Sequence, residues 1–147
     1  MPRLSALLCL LFLPLGCDSS REGWLGLYEL TGTAHYSIPG LGHLSSPLSA
    51  TFRVSEGTAV DLLLSDVAGG CSLLARVERE RAVLEPGASC AWSQEGVRFS
   101  LSEVHGTVAL SEGRGRFEMA GRVTATVRGT LYPGEFFQNA TLTRVEP

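Results

Sequence analysis

The sequence predicts an all-β fold, an antiparallel meander of about eight strands closed or partly closed into a barrel. Apolar and polar residues alternate at period two over most of the chain, and helical periodicity is nearly absent. No stretch between the alternating segments is long enough for the crossover helix that parallel neighbours need. Eight strands either close on themselves or split into a β-sandwich, and closure removes exposed edges, which favours the barrel.

The strands are expected at 24–36, 48–56, 58–65, 71–79, 81–85, 97–110, 116–131 and 135–144. The first places Trp24, Tyr28, Leu30, Ala34 and Tyr36 on one face. The second sets Leu48, Ala50, Phe52 and Val54 against Ser49, Thr51, Arg53 and Ser55. In the third, Asp61 alternates with Val60 and Leu62 and so points outward. The fourth alternates Cys71, Leu73, Ala75 and Val77 with Ser72, Leu74, Arg76 and Glu78. In the sixth and seventh, Val97, Phe99 and Leu101, then Phe117, Met119, Val123, Ala125 and Val127, face inward. Gly106, Gly121 and Gly129 are expected as bend points in these long strands. Links after the even strands are tight: Glu56-Gly57, the region of Glu80, and 111–115. Links after the odd strands are mostly longer: 37–47, 66–70, 86–96 and Pro133-Gly134. One end of the barrel is therefore expected to be fringed by loops.

A chain of 147 residues supports one domain with a single core. It is 44% hydrophobic, too apolar for a disordered chain, and its formal charge of −3 argues against a nucleic-acid partner. All 12 basic residues are arginine, which reads as a composition bias rather than as chemistry.

The first residues read as an address. Met1-Pro2-Arg3 is a short positive region, and Leu4–Leu15 is an apolar run too short to span a bilayer. The expected organisation is a signal peptide at 1–16, a modified cysteine and tether at 17–23, and a single β domain at 24–147. Leu13-Pro14-Leu15-Gly16-Cys17 resembles the lipobox of bacterial lipoproteins, with Pro14 where that pattern usually has leucine. The resemblance implies a diacylglyceryl group and a palmitoyl chain on Cys17, and no other cofactor. It also implies a membrane partner through that anchor, at the inner or outer membrane, facing the periplasm or the cell surface. The alternative is an ordinary secreted protein in which Cys17 is the first mature residue or pairs with another cysteine.

Cysteine arithmetic bears on this choice. Cys9 leaves with the signal, Cys71 and Cys90 can pair near the loop end, and Cys17 is left over. A Cys71–Cys90 disulfide is expected in an oxidising envelope, whereas a metal pair lacks a Cys-x-x-Cys or a neighbouring histidine.

No catalytic set emerges, and no enzyme is expected. His35, His43 and His105 fall in no ligand spacing. There is no G-x-S-x-G elbow or phosphate loop, and the acidic residues are scattered over outward faces. The expected site is the loop end, where Leu41, His43, Leu44, Trp92, Tyr132 and Phe136 place apolar and aromatic groups on links. These residues either bind something or plug the mouth as a lid. With Trp24, Tyr28, Phe52, Phe99, Phe117 and Met119 pointing inward, a filled lumen is expected.

Leu30-Thr31-Gly32-Thr33, the Cys71-x-Leu-x-Ala-x-Val run and Pro86-Gly87-x-x-Cys90 follow the lipobox-like Cys17. Together they resemble uncharacterised envelope lipoproteins of myxobacterial type, a family from which no activity can be transferred. A looser similarity is to calycin-like barrels, including lipocalins and small periplasmic inhibitors of lysozymes or proteases; Gly23-Trp24 resembles the first-strand tryptophan of lipocalins. The expected function is that of a non-enzymatic, lipid-anchored envelope protein acting through protein contacts at its loop end. The alternative is a carrier of a small apolar ligand inside the barrel.

Overall fold

The computed structural model describes residues 21–145. The expected signal peptide, the lipidation of Cys17 and most of the tether lie outside the described residues. A short 3-10 turn, Glu22–Trp24, leads into eight strands: β1 Gly26–Ile38, β2 Gly42–Glu56, β3 Leu62–Asp66, β4 Cys71–Glu78, β5 Arg81–Gln94, β6 Val97–Ser111, β7 Arg114–Val127 and β8 Thr130–Arg144. Each strand pairs antiparallel with the next, and β8 pairs back onto β1, so the meander closes into a barrel and the sandwich is ruled out.

Three of the expected links are strand instead. The segment 37–47 is a three-residue turn, Pro39-Gly40-Leu41, between two long strands. Segment 86–94 continues β5, because a register shift between Val83 and Cys90 absorbs Pro86 and Gly87 where a regular ladder could not. Pro133 and Gly134 lie within β8, and the β7–β8 turn is Arg128-Gly129, with φ of 48° and 84°. Two successive residues at positive φ give the twist that joins tightly paired strands, and Glu95-Gly96 and Glu112-Gly113 repeat the device. Neither end is fringed by long loops.

The alternation places the core as expected. Buried inward residues are apolar apart from Gln138, while Glu29, Thr31 and His35 on β1 and Arg98, Ser100 and Ser102 on β6 are exposed. No described helix is long and apolar enough to cross a membrane. The barrel itself has a polar exterior and an apolar interior, the reverse of what a lipid-facing barrel needs. Gly32 marks where β1 and β8 press together, since a Cβ there would overlap the Asn139 carbonyl oxygen and Ala140.

One end, where the turns after β2, β4 and β6 lie, is closed by a lid. Trp24 sits on the 3-10 turn rather than on β1, and packs over Leu62, Leu64 and Leu142 with a residual void of only about 10 Å³. Arg144, at the end of β8, holds the lid. Its guanidinium donates to the Tyr28 hydroxyl at 2.7 Å from Nη2 and 3.2 Å from Nε, donates to the Gly23 carbonyl, and lies 5.3 Å from the Tyr28 ring centroid. Tyr28 is 2% exposed, so its hydroxyl would be stranded without this partner. Arg144→Ala is expected to cost about 1–2 kcal/mol in chemical denaturation. Pairing it with Tyr28→Phe should recover part of that loss, because no orphaned hydroxyl then remains.

Candidate functional site: a notch in the barrel wall and the cavity behind it

The other end is open, and strand length is the reason. β3 and β4 have 5 and 8 residues, against 13 to 15 for each of the other six strands. β2 pairs with β3 only from Phe52 to Glu56, so Gly42–Thr51 pair with β1 alone. On the far side, β5 pairs with β4 as far as Cys90, and Ala91–Gln94 pair with β6 alone. Above the β3–β4 turn the wall is missing between β2 and β5. At about 4.8 Å per strand, three spacings give an opening of roughly 14 Å along the wall.

The sill of this window is fixed on both sides. The Val67 amide donates to the Thr51 carbonyl at 2.8 Å, and the Ala91 amide donates to the Gly70 carbonyl at 2.8 Å. Asp66 caps the turn itself, accepting from the Ala68 amide at 3.0 Å and the Gly70 amide at 3.4 Å. Cys71 and Cys90, opposite each other in the β4–β5 register, are joined by a disulfide. The expected pairing is present, but Cys90 lies within β5 rather than in a loop. The β2 side of the window is a free edge. Thr51 aims its carbonyl at the sill, so by alternation residues 43, 45, 47 and 49 present their backbone there. Pro47 has no amide hydrogen to offer, and this interrupts the edge as a template for another strand.

Behind the window lies a cavity of about 750 Å³, within the range of small-molecule sites. Its floor is Phe52, Phe117 and Met119, and its walls include Leu48, Ala50 and Leu101. The lumen is therefore packed in its lid half and hollow in its open half, which corrects the expectation of a filled core. Three aromatic rings form one side. Trp92 and Phe99, a cross-strand pair, stack at 5.3 Å between centroids and 17° between planes; Tyr36 lies 6.2 Å from Trp92 and 6.1 Å from Phe99. Polar side chains line the same space, Ser45, Ser46, Ser49 and Gln94 among them, together with the pair Tyr36 and Gln138. Gln138, on β8, is 5% exposed, and its side chain hydrogen-bonds the Tyr36 hydroxyl.

Burial pushes the Tyr36 hydroxyl above its ordinary value of 10.0, and the bond from Gln138 offsets only part of this. The folded protein thus holds the Tyr36 proton more tightly than the unfolded chain does. Its contribution to stability is whole below pH 10 and is lost as pH rises beyond it, because the unfolded chain ionises first. Denaturation midpoints between pH 8 and pH 11 are expected to fall less steeply in Tyr36→Phe than in the wild type.

The structure gathers most of the expected site residues at the open end, but on strands. Leu44 and Trp92 border the window and cavity from β2 and β5. Leu41 belongs to the β1–β2 turn and packs on the core, as does Tyr132 of β8. His43 faces outward, beside His35 and Glu135 on a separate shallow groove, and Phe136 is buried in the core at 4% exposure. Tyr36, Phe99 and Gln138 join the site only through the fold, beyond the residues the sequence points to. The signal for Gln138 was a lone polar side chain in the column Phe136, Ala140, Leu142, whose other members are apolar. A broader depression of about 1020 Å³ outside the lid is bounded by exposed residues such as Glu80, Glu112 and Arg114. Among the described residues no cluster of histidine, cysteine or carboxylate groups could hold a metal.

The fold and site define an up-and-down eight-stranded barrel with a sealed end and a laterally open, aromatic-lined lumen. No protein-family model and no curated protein matches the chain. Among solved structures, a protein of unknown function from the DUF3598 family of Nostoc punctiforme matches 85% of this chain at 12% identity and a TM-score of 0.30. This chain spans 49% of that protein's length, and a likeness this loose carries no argument.

Proposed function

We propose that the protein is a non-enzymatic binding protein of the bacterial cell envelope that takes a small, mainly apolar ligand into its lumen through the window. The observation that carries this reading is the cavity of about 750 Å³, with its aromatic wall and the Tyr36–Gln138 pair beside it. A core that only stabilised the barrel would fill that space, since empty apolar volume costs stability. The lipobox-like segment supports an anchor on Cys17. The chain enters the barrel at the lid, so such an anchor would attach at the end opposite the window, leaving the opening turned to the surrounding compartment.

Titration with N-phenyl-1-naphthylamine, an uncharged probe that fluoresces in apolar surroundings, tests the lumen. Saturable enhancement at one site per barrel is expected, and a linear, non-saturating response would sink the reading. Labelling with a palmitate analogue tests the anchor, which requires the label to disappear in Cys17→Ser. A protein-contact role is favoured by a different observation. Of the five exposed large apolar residues among the described residues, Leu44, Val67, Leu131 and Phe137 lie toward the open end, and Val145 lies at the lid end. Crosslinking of the anchored protein in cells, with and without Val67→Ser and Leu131→Ser, distinguishes that role.

A further inference from the structure

We propose that the ligand is uncharged and flat, an aromatic or conjugated molecule carrying one carbonyl-type hydrogen-bond acceptor, and not a fatty carboxylate. The inference rests on the reading of the lumen as a ligand site and adds the chemistry of its occupant. Charge is the first argument. Among the described residues, the charged ones around the cavity are Asp66 and Glu95, both acidic and both at the rim, and no arginine or histidine lines it. A carboxylate entering would pass two like charges and then shed its water with no cation to receive it, which is far costlier than burying a neutral group.

Shape is the second argument. Trp92 and Phe99 lie nearly parallel, 17° apart, with Tyr36 completing the wall, so the surface offered is a set of ring faces and edges. A planar π system can meet those rings in offset or edge-to-face contact, which adds to area burial alone. Hydrogen bonding is the third. Tyr36 and Gln138 line the cavity together, and a phenol hydroxyl has one proton to donate to an acceptor placed there. A ketone or quinone oxygen meets that donor without bringing a charge.

Three naphthalenes of near-equal size separate these terms: 2-acetylnaphthalene, 2-naphthoate and 2-ethylnaphthalene, each titrated at pH 7 while the Trp92 indole N–H resonance is followed. The ketone is expected to bind at least about tenfold more tightly than the carboxylate, as the desolvation of an unpaired charge requires. It should also exceed the ethyl compound by about fivefold, the worth of one neutral hydrogen bond, and Tyr36→Phe should remove that second difference. Naphthoate binding as tightly as the ketone would overturn the uncharged-ligand inference while leaving the lumen a ligand site. Equal binding of the ketone and the ethyl compound would overturn the acceptor. If none of the three shifts Trp92 up to its solubility limit, the lumen reading itself fails, and this inference with it.

Discussion

Leu62→Ala should destabilise the barrel by about 2–5 kcal/mol, while Phe99→Ala, which deletes a larger side chain, should cost only about 1–2 kcal/mol. The inversion follows from where each residue sits. Leu62 is 0% exposed and touches the void of about 10 Å³ under Trp24, so the space left by its isobutyl group has no slack around it to collapse into. Its cost is the lost transfer energy plus a full cavity term. Phe99 is half-buried and already faces about 750 Å³ of open space. Its removal forfeits contacts with Trp92 and Tyr36 but creates little new void. A barrel packed throughout would rank the two the other way, and urea denaturation of the two variants decides.

The disulfide carries the second large effect. Cys71 and Cys90 are 19 residues apart, and closing a loop of that size removes enough unfolded-state freedom to be worth about 3 kcal/mol on the chain-entropy model. Cys71→Ala/Cys90→Ala should lower the unfolding free energy by about that amount. The consequence reaches further than stability. The bridge sits at the sill of the window, at the last β4–β5 pair before the wall ends. Without it the short β3–β4 hairpin keeps the Ala91–Gly70 and Val67–Thr51 hydrogen bonds as its ties there. Amide exchange in residues 66–72 should therefore accelerate more in the double variant than exchange in β7 and β8.

Much of the barrel was legible in the sequence because alternation is a local signal. Leu48, Ala50, Phe52 and Val54 declare their shared face without reference to any other strand, and so do Phe117, Met119, Val123 and Ala125. Turns hidden inside a continuous alternation were not legible. Arg128-Gly129 interrupts nothing in the pattern, yet it reverses the chain and shifts the inward column to even numbers, so that Leu131 ends 65% exposed and Tyr132 faces in. Prolines misled in the other direction. Pro47 lies on the free edge of β2, Pro86 at a register shift and Pro133 inside β8, positions that allow strand to continue.

The window was hidden by the same misreading. Segments 37–47 and 86–96, read as loops, are largely strand, in the upper halves of β2 and β5, and those halves supply part of the cavity wall. Only when they are strand do β3 and β4 become short by comparison, and only then does the wall have a gap. Tyr36 and Gln138 meet through the β1–β8 closure, with Ala34 opposite Gln138 in the register. A contact between the first and last strands has no trace in local periodicity.

The central claim is that the open half of the lumen is space that a ligand occupies, and filling it is the most direct test. Ala34→Phe/Ala50→Trp places two large side chains on inward positions that border the cavity. N-phenyl-1-naphthylamine titration of this variant should show at least about tenfold weaker binding, with a folded near-ultraviolet circular dichroism spectrum and unfolding no easier than in the wild type, because the new groups occupy existing space. A folded variant that binds the probe as tightly as the wild type would contradict the account.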